Sequence, residues 1–130
     1  MTELADVPDD TYIDGKRAAR AINVLDQLAN DGEKPFFLAV GFTKPHLPFV
    51  APKKYWDLYD RDSFSMPSNS GRPPQWPEDA AFTKANEMQR YVDYVGNGPK
   101  DFPQSLNKRL LHGYAAVSYT HLTLPTNREV

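Results

Sequence analysis

The stretch Lys34-Pro35-Phe36-Phe37-Leu38-Ala39-Val40-Gly41-Phe42-Thr43-Lys44-Pro45-His46-Leu47-Pro48-Phe49-Val50-Ala51-Pro52 decides the fold class. Residues 36–42 are a continuous apolar run without alternation. A strand covered on both faces reads this way, as in a parallel sheet sandwiched between helices. The chain then changes character, because Pro45, Pro48 and Pro52 bar both a helix and a central strand. The prediction is a buried strand whose carboxyl end runs into a rigid loop. That end is where open α/β sheets place their ligand sites.

Upstream, Thr11 is expected to cap a helix, with Asp14 bonding back as a weaker form of the capping box. Ala18, Ala21, Ile22, Leu25, Leu28 and Ala29 follow at helical spacing and predict one buried stripe. Lys16, Arg17, Arg20, Asn23, Asp26 and Gln27 make the polar face, and Asn30-Asp31-Gly32 is the stop signal. Residues 1–10 read as a polar loop. Downstream, Lys53 to Tyr59 predicts a short helix anchored by Tyr55, Trp56 and Leu58. Asp60 to Ala80 reads as irregular, with Pro67, Pro73, Pro74 and Pro77. Ala81 to Val95 is a helix or a partly ordered stretch, ended by Gly96-Asn97-Gly98-Pro99. A further helix starts near Pro103 and carries Leu106, Leu110, Tyr114 and Val117 on one face. The fold class is α/β: helix, buried strand, long Pro-rich loop, helix.

The 130 residues suffice for one small domain, and a formal charge of −2 argues against a general nucleic-acid binder. There is no cysteine, hence no disulfide, thiolate metal site or Cys nucleophile in the chain. No apolar run approaches the roughly 20 residues of a membrane span. The acidic start, Met1 to Asp6, does not read as a signal peptide. The 12 prolines are the compositional oddity and point to long shaped loops. No P-loop, nucleophile elbow, dinucleotide fingerprint or zinc-protease motif occurs.

His46 is the main candidate for chemistry. Flanking prolines hold its backbone, and a His at a strand's carboxyl end suits binding an anion or moving a proton. Lys44, two residues away, completes a plausible oxyanion-binding pair. The alternative is a loop His packed against Phe49. His112, near the polar edge of the last helix, fits a structural or solvated role. Lys53-Lys54 with Tyr55 and Trp56 fits a solvated helix end over packed aromatics better than a sugar contact. Asp9-Asp10 and Asp60-Arg61-Asp62 fit solvated loop charges better than metal ligands.

Val117-Ser118-Tyr119-Thr120-His121-Leu122-Thr123-Leu124-Pro125-Thr126 resembles the in-frame translation of a transposase-type sequencing adapter. On that reading residues 117–130 are a non-native tail and residues 1–116 belong to a larger protein. Thr120, Thr123 and Pro125 are expected to interrupt the helix there. Val117-Ser118-Tyr119 fits both the adapter and a native helix.

Lys34 to Phe49 resembles the "PFFLAVGxxKPHxPF" segment of sulfatases, in particular those of the iduronate-2-sulfatase branch. Asp6-Val7-Pro8-Asp9, the Thr11–Asn30 helix and the Tyr55-Trp56 stretch match that branch in order and spacing. Leu110 to Ala116 resembles the start of its later helix. The resemblance implies an alkaline-phosphatase-like domain that hydrolyses sulfate esters, through a formylglycine made from Cys or Ser in "C/S-x-P-x-R" and a calcium ion. It implies that His46 contacts the sulfate or the leaving oxygen, with Lys44 beside it in the substrate site. Nucleophile and calcium ligands are absent from these residues, so residues 1–130 by themselves are expected to be inactive. The implied substrate is a sulfated carbohydrate, the implied location periplasmic or secreted. No nucleic-acid partner is expected, and oligomeric state is left open. Another hydrolase of the superfamily, a phosphodiesterase or phosphatase, and a non-catalytic carbohydrate-binding relative are the competing readings. The loop over residues 60–100 is expected to shape specificity.

Overall fold

The computed structural model describes residues 1–32, 34–68, 87–91 and 102–122. A short strand β1 (Thr2–Ala5) is followed by a single 3-10 turn (Asp9–Thr11) and helix α1 (Ile13–Asn30). The chain then passes through residues 34–48 into β2 (Phe49–Pro52) and directly into the one-turn helix α2 (Lys53–Trp56). Further 3-10 turns lie at Arg61–Ser63 and Met88–Arg90, and the long helix α3 (Gln104–Leu122) follows. β1 and β2 pair in parallel, with Thr2 opposite Phe49 and Ala5 opposite Pro52. Parallel strands cannot be joined by a tight turn, and α1 supplies the crossover. The helices with a parallel sheet confirm the α/β class, although the strands are not the predicted one.

The apolar run 36–42 forms no strand among the described residues. Phe37 is 92 % exposed, and Phe36 and Val40 are also exposed. A strand exists by hydrogen bonding to a neighbour, and here the neighbouring pair is β1 with β2. β1 forms where a polar loop was expected. β2 forms inside the proline-rich segment: Pro52, which cannot donate to a ladder, sits at its last position.

α1 ends as expected, with Asp31 donating its N–H to Gln27 O and Gly32 at φ +38°. Its start differs. The first helical residue is Ile13, because the 3-10 turn occupies Asp9–Thr11, and the preceding Tyr12 makes no side-chain capping bond. Asp14, expected to bond back toward Thr11, is instead the buried residue of the helix. Ile22 and Leu25, the centre of the predicted stripe, are exposed. Gly15 is needed beneath the 3-10 turn, since a Cβ there would lie 1.7 Å from Asp9 O.

The core lies between β2, α2 and α3. Ala51, Trp56, Ala116 and Val117 are buried together, with Phe49 and Tyr55 packed against them. Phe49 meets Tyr114 edge-on, ring centroids 5.8 Å apart. The α2 and α3 predictions hold, with α2 shorter than expected and α3 starting at Gln104. The expected tail boundary at 116/117 falls inside α3, where Val117 is fully buried. Thr120 does not interrupt the helix: its hydroxyl donates to Val117 O at 2.6 Å, the local bond that lets a helix carry threonine. Of the irregular segment expected over 60–80, only residues to Ser68 lie within the description. Most of the 81–95 prediction, and residues 123–130, lie outside it.

α3 approaches β2 and α2 at Gly113, where a Cβ would lie 2.8 Å from the Trp56 ring and 2.9 Å from the Phe49 Cβ. Gly113→Ala should therefore push α3 off the core and destabilise the chain by about 1–3 kcal/mol. A urea-unfolding midpoint equal to that of the parent would contradict this packing.

Candidate functional site

The candidate site is the loop over residues 43–48, which leads into β2. Its Lys44–Pro45 and Leu47–Pro48 peptide bonds are both cis. His46 N–H donates to Thr43 O at 3.1 Å, closing a turn around Pro45. The imidazole is exposed, at 61 % of its side-chain surface. Its Nδ1 lies 2.8 Å from Leu47 O. A carbonyl only accepts, so Nδ1 carries the hydrogen, and Nε2 is the nitrogen left for another partner. Nε2 is 3.5 Å from Glu87 Oε2. The ring does not pack against Phe49 among the described ring contacts, and Phe49 faces Tyr114 instead.

Lys44 does not point outward beside it. It is 7 % exposed, and its ammonium donates to His46 O at 3.3 Å and to Pro48 O. Burial lowers its pKa, and the nearby Asp14 carboxylate opposes that shift. The structure thus brings Lys44 to the backbone of His46, with its charge on main-chain carbonyls, while the imidazole faces solvent.

Beneath the loop lies the Asp14 carboxylate. Oδ1 and Oδ2 accept from Thr43 N at 3.0 and 2.9 Å, and Oδ2 accepts from Lys44 N at 2.8 Å. Arg17 Nη1 donates to Oδ1 at 3.1 Å and to Thr43 Oγ1 at 2.6 Å. Sequence reasoning read Asp14 as a capping residue. Its real partners are 29 and 30 positions away, so no local pattern reveals them. Glu87 was likewise missed.

The other candidates have structural partners. His112 is buried: Nε2 lies 2.7 Å from Trp56 O, so it donates, and Nδ1 accepts from Arg61 Nε at 3.3 Å. Its ring meets Trp56 edge-on at 4.9 Å. Lys53 pairs with Asp57, and both Lys54 Nζ and Tyr55 Oη donate to Asp9, at 2.7 and 2.9 Å. Lys108 reaches Asp62. Among the described residues no group of three His, Cys, Asp or Glu side chains is arranged to hold a metal ion.

A largely apolar cavity of about 220 Å³ lies behind the loop, lined by Tyr12, Ala18, Ile22, Lys44, Ala51 and Tyr55 among others. His46 is not part of its wall. Tyr12 Oη donates to Glu3 Oε1 at 2.9 Å, and burial together with that carboxylate pushes the phenol up to about 12. The folded pKa is raised, so the contribution to stability is complete below the ordinary value of 10 and is lost as pH rises through about 12. In an alkaline titration followed by phenolate absorbance, Tyr12→Phe should remove a component that ionises near pH 12. An unchanged titration curve would remove the Tyr12–Glu3 bond from the folded chain.

No family model matches the chain. Curated relatives do. It is 31% identical over 123 residues to an iduronate 2-sulfatase of Mus musculus, covering 90% of this chain and 22% of that one. It is 43% identical over 49 residues to a sulfatase of Formosa agariphila, 37% of this chain and 10% of the other. A multifunctional alkaline phosphatase superfamily protein of Trinickia caryophylli is 34% identical over 65 residues, 50% of this chain and 12% of its own. The chain spans about a fifth of the length of the mammalian relatives it matches. Together with the α/β architecture and the Lys44–Pro48 loop, these matches make the chain a homologue of a segment of the sulfatases.

Proposed function

We propose that these residues serve a sulfatase that hydrolyses sulfate esters of a carbohydrate, with His46 donating a hydrogen bond to the sulfate group or to the leaving oxygen. The observation that carries this is the orientation of His46: Nδ1–H is committed to Leu47 O, and Nε2, on an exposed ring, meets a carboxylate oxygen of Glu87 at 3.5 Å. When protonated, that nitrogen is a charge-assisted donor, the kind of group that stabilises oxygen as negative charge develops on it. The Glu87 carboxylate, 3.5 Å from Nε2, shows that this nitrogen can meet an anionic oxygen, and a sulfate would have to displace it. The name of the mammalian relatives, sulfatases acting on iduronate, supports a sulfated sugar as substrate.

Lys44 serves this site by holding the main chain of His46 and Pro48. The formylglycine and the calcium ion of such an enzyme are assigned, on this reading, to residues of the full-length protein outside this chain. The chain has no cysteine, and among the described residues no acidic or His cluster is spaced for a cation. The contribution of this chain is an exposed imidazole held through Nδ1, whose Nε2 donates when the ring is protonated.

In a full-length sulfatase carrying this segment, His46→Ala should lower kcat/KM for a sulfate ester by about 10²–10³-fold, the scale of losing one positioned oxyanion donor. A value equal to that of the parent enzyme would remove His46 from the reaction.

A further inference from the structure

The His46 loop is poor in donors of its own, since Pro45 and Pro48 bring no N–H. A ring aimed by such a loop needs its backbone held from outside. We infer that Asp14 is the positioning residue of this loop, its buried carboxylate fixing the main chain of Thr43 and Lys44 from which His46 projects. This rests on the reading of His46 as the sulfate donor.

Three observations carry it. Asp14 is 7 % exposed, on the first turn of α1, and its two oxygens take the N–H groups of the two consecutive residues before Pro45. Arg17, one turn along the same helix, binds both the carboxylate and the Thr43 hydroxyl. It compensates the buried charge and ties the same residue a second time. Finally, the residue whose N–H meets Asp14, Lys44, returns its ammonium to His46 O and Pro48 O. The connection from α1 to the imidazole is therefore continuous: Asp14 to the backbone of Thr43 and Lys44, Lys44 to the backbone of His46, and Leu47 O to the ring itself. Asp14 touches no substrate in this arrangement. It acts through the direction it gives to His46.

The test is Asp14→Asn in the 130-residue chain, read by NMR. The amide has one acceptor oxygen in place of two, and its NH₂ would face a main-chain donor. The Thr43 and Lys44 amide signals and the His46 ring signals should shift, while those of His112, held in the core by Trp56, should stay in place. A general loosening of the fold would move both histidines. In that event Arg17→Ala decides, since Arg17 is largely exposed and its loss weakens the same contact. A shifted His46 with an unmoved His112 supports the inference, and His46 unmoved overturns it. In a full-length sulfatase carrying this segment, Asp14→Asn should lower kcat about 10²-fold, the order expected for a misaimed group, with a smaller change in KM. A parent enzyme inactive on sulfate esters would sink the functional reading while leaving the resonance test intact. An active parent with an unmoved His46 would sink the role of Asp14 alone.

Discussion

The Asp14 carboxylate accepting the main-chain N–H groups of Thr43 and Lys44 joins the start of α1 to the loop before β2. A buried carboxylate is costly unless its lone pairs are filled. Here two consecutive amides and the Arg17 guanidinium fill them. Hydrogen bonds to a charged group contribute about 1.5–3 kcal/mol each, more than neutral ones. The bond set also fixes position: α1, which packs few apolar side chains into the core, is registered against the loop by this polar contact. The rest of the candidate site inherits its geometry from it.

The second consequence is a division of labour between two cationic side chains. Lys44 and His46 stand two residues apart, and the loop buries one and exposes the other. Lys44 turns inward, where its long stem lies along the apolar cavity and its ammonium meets carbonyls. Lys44 thus adds a side-chain donor to His46 O and to Pro48 O, which also accepts from Val50 N–H. His46 turns outward, with Nδ1 fixed on Leu47 O and Nε2 near the Glu87 carboxylate. A short, planar side chain with two distinct nitrogens suits that post better than a flexible ammonium.

Much of the sequence reading survives contact with the structure at this level. The helix ending at Asn30, the left-handed Gly32, the turn of helix after Pro52 and the helix after Pro103 were all legible, because caps, glycine and proline act within a few residues. The proline-rich loop carrying His46 was legible for the same reason. The hold of Asp14 on the loop, the inward turn of Lys44 and the partners of His112 were not. Each is set by a residue 30 or more positions away or by a main-chain carbonyl that no side-chain pattern announces. The pairing of β1 with β2 was hidden too, since strands of four residues carry no periodicity long enough to read.

The run Phe36 to Phe42 shows the boundary between the two kinds of information. Its composition determined that it is apolar on every side and that a buried strand is its natural state. Burial, however, is a relation with neighbours: without a hydrogen-bonded partner strand among the described residues, Phe37 stands exposed. The sequence by itself determined the helices, the rigid loop, the α/β class and His46 as the residue to watch, all through local backbone chemistry. Only the tertiary structure decided which strands pair, that Lys44 braces rather than faces outward, and that Asp14 aims the loop. Those outcomes depend on hydrogen bonds between segments far apart in the chain, which form only when the segments meet in space.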